Sequence, residues 1–378
     1  MGERSGSLEI VVMLNSSFWD GRRVLLTGHT GFKGSWLSLW LLKLGAQVWG
    51  YALPPENKSS LFNQLDLEEK FSCLQHSLGD LSDLQALQSV VAQAQPEVVV
   101  HLAAQPLVRK SYLDPLGTWA TNVQGSLHLL EALKGLNHAC AVVMVTTDKV
   151  YANCEWDFGY REEDRLGGHD PYSASKAAVE LAISSWRSSF CGSGGHQTPY
   201  LKIATARAGN VIGGGDWADE RIVPDAIRSL MAGKPIPVRN HLATRPWQHV
   251  LEPLGGYLLL AERLAAAGGA GSRCETAFNF GPQLEANRTV GELVEEALQH
   301  WPGSWEDLSD PTAPHEAGRL HLQIDKAHHQ LNWSPNWDFT TTVARTVFWY
   351  RAVHEGDSPL NCCLADLDAY QQESTHAS

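Results

Sequence analysis

Two stretches carry side chains that can handle protons. The run Val142-Val143-Met144-Val145-Thr146-Thr147-Asp148-Lys149-Val150-Tyr151 starts apolar and ends in hydroxyl, carboxylate and ammonium groups. A buried strand that stops in reactive groups suits an open α/β sheet, where ligands sit beyond the carboxyl ends of the strands. The second stretch, Tyr172-Ser-Ala-Ser-Lys176, reads as helix, and its four-residue spacing puts Tyr172 and Lys176 on one face, roughly one turn apart. Thr147, Tyr172 and Lys176 can therefore converge, with Asp148 and Lys149 beside them. The ordinary alternatives are a helix surface pair, a strand-end hydroxyl bonded to backbone, and a local ion pair.

The upstream elements read as a scaffold for presenting a cofactor. Arg23 to Thr27 is a short strand; Gly28-His29-Thr30-Gly31-Phe32-Lys33-Gly34 follows, then an apolar helix from Ser35 to Leu44. Strand, glycine turn and helix together make a dinucleotide hypothesis, although the spacing is GxxGxxG. Glycines let the backbone approach a pyrophosphate, and the helix start offers unpaired N–H groups. Gly28, Gly31, Phe32, Lys33 and Gly34 are the candidates here. The second strand, Ala46 to Leu53, lacks the usual terminal carboxylate for a ribose, which leaves NAD against NADP open by that rule. Lys33 or Lys58 would tolerate a 2′-phosphate, but a solvated lysine is the more ordinary reading of either.

Asp80, beside Leu81, suits either an adenine amino group or a turn carboxylate. The strand from Pro96 ends in Leu102-Ala103-Ala104-Gln105, whose small side chains permit close approach by a cofactor. A helix from Asn122 to Leu133 leads to the central strand, Ala141–Val145. Alternating strands and helices imply a parallel sheet covered on both faces.

Leu201 to Arg207 is a later strand entering the loop Gly209-Asn210-Val211-Ile212-Gly213-Gly214-Gly215-Asp216-Trp217. Loops of this kind past a strand end tend to be functional. Helices are expected at Ile222–Met231 and Val290–His300. Asn210, Arg221 and Arg245 are candidates for diphosphate or sugar contacts, and Trp217 and Trp247 for sugar platforms because each lies in a polar stretch. His101 and His249 are read as structural. The expected division is a dinucleotide-binding domain over 18–207, with a segment near 240–265 packing back onto it, and an interleaved substrate domain over 208–356. Residues 1–17 and 357–378 are expected to be terminal extensions, the latter loosely held.

The chain of 378 residues carries a formal net charge of −13, which argues against a nucleic-acid surface. Seven scattered cysteines suggest free thiols in a reducing compartment and the cytoplasm, and no CxxC pair points to a metal. No run reaches membrane-spanning length, and the N-terminal stretch lacks the features of a signal peptide.

Taken together, Thr27-Gly-His-Thr-Gly-Phe-Lys-Gly-Ser-Trp-Leu37, His101-Leu-Ala-Ala-Gln105, Thr146-Thr-Asp-Lys-Val-Tyr151, Tyr172-Ser-Ala-Ser-Lys176 and Arg207-Ala-Gly-Asn-Val-Ile-Gly-Gly-Gly-Asp-Trp217 resemble the extended short-chain dehydrogenases/reductases. More narrowly, they resemble the CDP-glucose 4,6-dehydratases. Phe-Lys-Gly-Ser-Trp, Asp148-Lys149 and Gly-Gly-Gly-Asp-Trp are the narrow features; related dTDP- and GDP-sugar dehydratases usually carry Glu where Lys149 stands.

The resemblance implies an α/β fold: a Rossmann-type doubly wound parallel sheet with a smaller α/β C-terminal substrate-binding domain. It also implies NAD, a CDP-glucose substrate, and a homodimer formed through the helices starting near Asn122 and Tyr172. Tyr172 would take the 4-hydroxyl proton, helped by Lys176 and Thr147; Asp148 would protonate the departing 6-hydroxyl; a neutral Lys149 would remove the C5 proton. Gln105 would contact the substrate as well as the cofactor. Two other readings are a sugar-nucleotide 4-epimerase, which needs no Asp-Lys pair, and a non-catalytic NAD-binding sensor.

Overall fold

Short runs rich in valine and leucine become seven parallel strands in the computed structural model, which describes residues 14–376 apart from 192–197, 199, 220, 267–272 and 310–318. They are β1 (Arg23–Thr27), β2 (Gln47–Ala52), β3 (Leu74–Leu78), β4 (Val98–His101), β5 (Cys140–Val145), β6 (Leu201–Ala208) and β7 (Ala277–Phe280), in the spatial order β3-β2-β1-β4-β5-β6-β7. β4, β5 and β7 are buried throughout, as strands covered on both faces must be. The order reverses between β1 and β4, which opens a crevice at the carboxyl ends of these strands. The doubly wound sheet expected from the alternation is therefore present. β7 was not anticipated: four residues ending a long excursion carry too little periodicity to stand out.

Alternation along each strand sends its side chains into two cores. Val24, Leu26, Val98, Val100 and Val143 face helices α1 (Phe32–Lys43) and, further along the chain, Leu251–Ala266. Leu25, Val99, Val142 and Met144 face α2 (Leu84–Ala94), α3 (Gly125–Leu133) and α4 (Pro171–Phe190). α1 begins at Phe32 rather than Ser35 because Gly31 already adopts the extended N-cap conformation. The helix expected from Asn122 is interrupted: Ala120–Gln124 forms a π-helical turn between Pro115–Trp119 and α3, which places Asn122 in the interior.

Beyond β6, α5 (Ile222–Met231), α6 (Leu251–Ala266), α7 (Val290–His300) and α8 (Phe339–Glu355) follow. α5, α7 and α8 enclose a satellite core of Ile212, Trp247, Leu293, Ala297, Val343 and Val347, with Ile222 and Val223 packed against it. Thr244–Pro246 pairs antiparallel with Asn287–Thr289, and Ile236–Val238 runs parallel with Trp305–Asp307. α6 lies against β4, β5 and β6. At the other end, the Glu262 carboxylate of α6 accepts from the Asn15 N–H and the Trp19 indole, holding the start of the described chain to this helix. Residues 1–13 of the expected N-terminal extension lie outside the described residues.

The tail after Asp357 is not loosely held. Residues 359–376 form α9 (Pro359–His376), with Cys363 and Leu367 wholly buried and Tyr370 meeting the rings of Trp40 and Trp337. Cys363, Leu367 and Tyr370 recur at helical spacing, which the surrounding Asn, Asp and Gln obscure. Glu252 of α6 anchors this helix: its carboxyl accepts from the N–H groups of Asn336 and Trp337 and from the Tyr370 hydroxyl.

Burial pushes the Glu252 carboxyl up from 4.5 to about 7. Between those values the native state binds the extra proton, so stability falls as pH rises through this window and levels off above it. The full effect is roughly 3 kcal/mol. Burial raises Asp366 to about 7 in the same sense. Urea titrations at pH 5 and pH 7.5 will therefore show a loss of stability on raising the pH, and Glu252→Gln will reduce it, leaving the share of Asp366. An unchanged slope in the variant would assign the effect elsewhere.

Candidate active site

The turn after β1 is built by three glycines with different demands. Gly28 has φ +76°, and a Cβ there would lie 2.7 Å from the Ala103 nitrogen, so the end of β4 touches this turn. A Cβ at Gly34 would lie 2.0 Å from the Gly28 carbonyl oxygen. Gly31 is different. Its φ of −79° suits any residue, and its Cβ would meet only the Gly28 oxygen at 3.4 Å. Neither conformation nor packing within the chain requires glycine at 31, and the space kept clear lies at the uncapped start of a 12-residue helix. That is where a pyrophosphate fits, so the residues present fit a dinucleotide. Gly31→Ala will fold with an unchanged melting temperature but lose most of the upward shift that NAD produces. Thermal melts with and without NAD check this, and a full shift in the variant would refute it.

The rest of the expected cofactor set falls into two groups. Phe32, Leu102, Ala103 and Ala104 lie half-buried around the turn and the end of β4. Asp80 is exposed after β3, where it accepts from the Ser82 N–H, and Leu81 is buried beside it. Asn122 and Gln105 are occupied within the chain. The Asn122 amide oxygen accepts from the Gln105 N–H, and its nitrogen donates to the Gln105 carbonyl and the Ser175 hydroxyl. The Gln105 amide accepts from the Leu107 N–H and donates to Thr118. Asn122 thus ties the β4 loop to α4, and Gln105 ties it to the helix Pro115–Trp119.

At the end of β5 the proton-handling groups meet. Thr147 Oγ1 donates to Asp148 Oδ1 at 2.9 Å, and Tyr172 comes up to the same Thr147 hydroxyl. Thr147, Asp148, Tyr172 and Lys176 are all buried. Gly209 backs the carboxylate: a Cβ there would lie 2.8 Å from Asp148 Oδ2. Lys176 Nζ donates to the Val145 carbonyl at 3.3 Å. Burial pushes Tyr172 up to about 12, against the favourable effect of the nearby Thr147 hydroxyl, and lowers Lys176 to about 8, against the pull of Glu180. Lys149 is half-buried on the next turn; its backbone N–H donates to Thr147 Oγ1 at 3.4 Å, and its ammonium has no ion-pair or hydrogen-bond partner among the described residues.

Lys33 is not a solvated lysine at the ribose end. Burial, Arg221 and Lys176 lower it to about 8, while Asp148 acts in the opposite sense, which places its ammonium toward the catalytic cluster. Arg221 belongs to the same region: it pairs with Asp216 at 2.8 Å and bears on Tyr172. Lys33 and Arg221 thus bring positive charge to the cleft. Asn210 is exposed past β6. Arg245 donates to the Thr244 carbonyl and lies opposite Arg288 in its ribbon.

Trp247 is no sugar platform. It is 3% exposed, sits in the satellite core, and its indole N–H is used by the Arg288 carbonyl. The polar sequence around it belongs to a ribbon whose other face is buried. Trp217 turns its ring edge-on to Tyr350 at 5.2 Å and packs against the main core. His101 bridges Thr27 and Ser126, and burial holds it near 3; His249 is likewise buried and held near 3.

Two narrow sequence features prove to touch. The Trp36 indole donates to the Gly214 carbonyl at 2.9 Å, and Phe32 lies 3.4 Å from where a Cβ of Gly213 would be. A Cβ at Gly214 would meet the Trp349 ring at 2.0 Å, and Gly215 has φ +83°. Phe-Lys-Gly-Ser-Trp and Gly-Gly-Gly-Asp-Trp therefore interlock through packing as well as facing the cleft. Sequence reasoning passed over Glu180 and Arg207, a buried pair at 2.9 Å behind the cluster. The one available signal was that Glu180 continues the four-residue spacing of Tyr172 and Lys176.

A model of the GDP-mannose 4,6 dehydratase family matches residues 25–346. The CDP-glucose 4,6-dehydratase of Salmonella typhimurium is 44% identical over 365 residues, covering 96% of this chain and all of that one. A dTDP-glucose 4,6-dehydratase of Streptomyces venezuelae, solved with NAD bound, superposes with a TM-score of 0.71 at 27% identity, over 89% of this chain and 99% of the other. The UDP-glucose 4-epimerase of Thermotoga maritima shares the fold, with a TM-score of 0.72 at 21% identity, over 87% of this chain and 99% of the other.

Proposed function

The chain belongs to the GDP-mannose 4,6 dehydratase family, and we infer on that premise that it is an NAD-dependent hydro-lyase converting CDP-glucose to CDP-4-keto-6-deoxyglucose and water. Identity to a CDP-glucose 4,6-dehydratase along the whole of that relative supports the substrate, and Lys149 after Asp148 agrees with the CDP branch. The observation that carries the reaction is the Tyr172–Thr147–Asp148 cluster. A carboxyl is joined to the pair that handles the sugar hydroxyl, as elimination of water requires and epimerisation does not.

Bound NAD supplies the hydride acceptor for C4 and the donor for C6. Tyr172 takes the 4-hydroxyl proton as C4 becomes a ketone, and Thr147 hydrogen-bonds O4. Lys176 favours the phenolate electrostatically. The ketone acidifies the C5 proton, which Lys149 removes. Asp148 protonates the 6-oxygen, which leaves as water, and after hydride reaches C6 the Lys149 ammonium returns the proton to C5. Lys33 and Arg221 offset the negative charge of the diphosphates in the cleft.

A homodimer is part of this reading. Leu113 and Leu116 are 87% and 82% exposed on the short helices Val108–Leu113 and Pro115–Trp119, which pack on α4, and Leu181 of α4 is exposed as well. Apolar side chains exposed in such a group suit a second copy. A single-chain mass by light scattering would exclude it. Seven free cysteines favour a cytoplasmic location, and among the described residues no helix is long and apolar enough to cross a membrane.

The test is incubation with CDP-, dTDP-, GDP- and UDP-glucose and NAD, followed by mass spectrometry. Loss of one water from the CDP sugar alone is expected. Loss only from another sugar would move the substrate assignment. An isomerised product without solvent deuterium at C5 would favour the epimerase, and no turnover despite bound NAD would favour the sensor.

A further inference from the structure

Behind the catalytic cluster lies a carboxylate with every acceptor position engaged. Glu180 is 2% exposed on α4, one turn beyond Lys176. Its Oε1 accepts from Thr146 Oγ1 at 2.5 Å and from Arg207 Nε at 3.0 Å; its Oε2 accepts from Thr205 Oγ1 at 2.8 Å and from Arg207 Nη2 at 2.9 Å. Arg207 Nη1 continues to the Tyr151 hydroxyl at 2.8 Å and the Glu162 carbonyl at 2.9 Å. Thr146 immediately precedes Thr147 and Asp148, and Tyr151 follows Lys149 and Val150. One carboxylate on α4 therefore grips the catalytic turn on both sides, directly through Thr146 and through Arg207 at Tyr151.

Building on the reaction proposed above, we propose that Glu180 is a positioning residue for catalysis, fixing α4 against the end of β5 so that Tyr172 meets Thr147, and holding Lys176 in its charged form. Four donors on one buried carboxylate leave it no second arrangement. Tyr172 on α4 and Thr147, just past the end of β5, are held together by this grip, because Glu180 reaches Thr146 directly and reaches Tyr151 through Arg207 of β6.

The electrostatic part follows from what surrounds Lys176. His101 faces it from β4 and Lys33 from α1, the Val145 carbonyl from β5, and Tyr172 and Glu180 from α4 itself. Asp148 bears on Lys33 and Tyr172. Glu180 is the carboxylate that opposes the effect of burial on Lys176, which stands at about 8. An ammonium poised there is sensitive to the loss of one charge near working pH.

The experiment is the pH profile of kcat for Glu180→Gln, with CDP-glucose and NAD saturating. The amide removes the charge and turns one acceptor oxygen into a donor, so part of the grip is lost with it. The expected result is lower turnover at every pH together with a basic limb moved down by about one pH unit, so that the loss at pH 8 is about four-fold larger than the loss at pH 6.5. Glu180→Asp, which keeps the charge, will retain the limb of the parent chain. If Glu180→Gln does not fold, Glu180→Gln with Arg207→Met leaves no unpaired guanidinium and reads the same limb. A loss of equal size at every pH, or an unchanged profile, would overturn the proposal. Parent protein that turns over no nucleotide sugar would instead refute the reaction on which it rests.

Discussion

Tyr172→Phe will lower turnover of CDP-glucose by about three orders of magnitude, while KM changes by no more than a few-fold. The first value lies within the range for removing a positioned general base, roughly 10²–10⁴-fold, and amounts to about 4 kcal/mol of barrier. Without nucleotide, burial keeps the phenol protonated, at about 12. The proton is lost only where positive charge is gathered beside it, and Lys176, Arg221 and Lys33 gather it. Phenylalanine fills the same volume, so the Thr147–Asp148 bond and the burial of the site persist. On the proposed reading Lys33 and Arg221 meet the diphosphate, and the substitution changes neither, which is why KM should stay nearly constant. Initial rates of water loss by mass spectrometry measure the effect. A drop of less than ten-fold would show that another group takes the hydroxyl proton.

The second large effect separates two halves of the reaction. In Asp148→Asn, water loss will fall by about 10²- to 10³-fold, yet CDP-glucose recovered from D₂O will still acquire deuterium at C5. Exchange at C5 requires only that C4 become a ketone and that a base take the C5 proton, which Tyr172 and Lys149 supply. Expulsion of the 6-hydroxyl needs a proton at the leaving oxygen, and an amide has none of suitable acidity to give. Asn at 148 still accepts from Thr147, so the 2.9 Å contact survives the substitution. The readout is a gain of one mass unit without a loss of eighteen, each assigned by the exchange of a single proton and the mass of water. Parallel loss of exchange and elimination would instead place Asp148 in the oxidation of C4.

Much of this site was legible because strand ends and helix spacing leave strong traces. β1, α5 and α7 have the bounds expected from their sequences, and Thr147, Asp148, Tyr172 and Lys176 converge as the four-residue spacing and the strand end imply. Residues read from polarity alone fared worse. Trp247 stands between a proline and a glutamine, and nothing in those neighbours reveals that its face of the ribbon is covered by α7. Gln105 and Asn122 are expected on a ligand, but the Asn122 amide is spent on the Gln105 backbone and Ser175 of α4, and the Gln105 amide on Leu107 and Thr118. Such pairings depend on the π-helical turn at Ala120–Gln124, which no periodicity marks. Lys33 is a candidate for the dinucleotide and otherwise reads as a solvated lysine; only the fold brings it under the influence of Asp148. Glu180 escaped because a Glu four residues after a Lys on a helix ordinarily reads as a solvated pair.

The helix at residues 359–376 has a consequence for how this protein is made. Trp40 lies in the first crossover of the nucleotide-binding half, yet its ring is covered by Tyr370, which is also held by Glu252. A ribosome delivers Trp40 long before it delivers Tyr370, so during synthesis the first half must wait with an apolar face uncovered. Its native packing is completed after the catalytic residues have all emerged. Chaperone demand on the nascent chain should therefore stay high until α9 clears the exit tunnel, and stop codons placed just after residue 356 should yield aggregates rather than a shorter active enzyme.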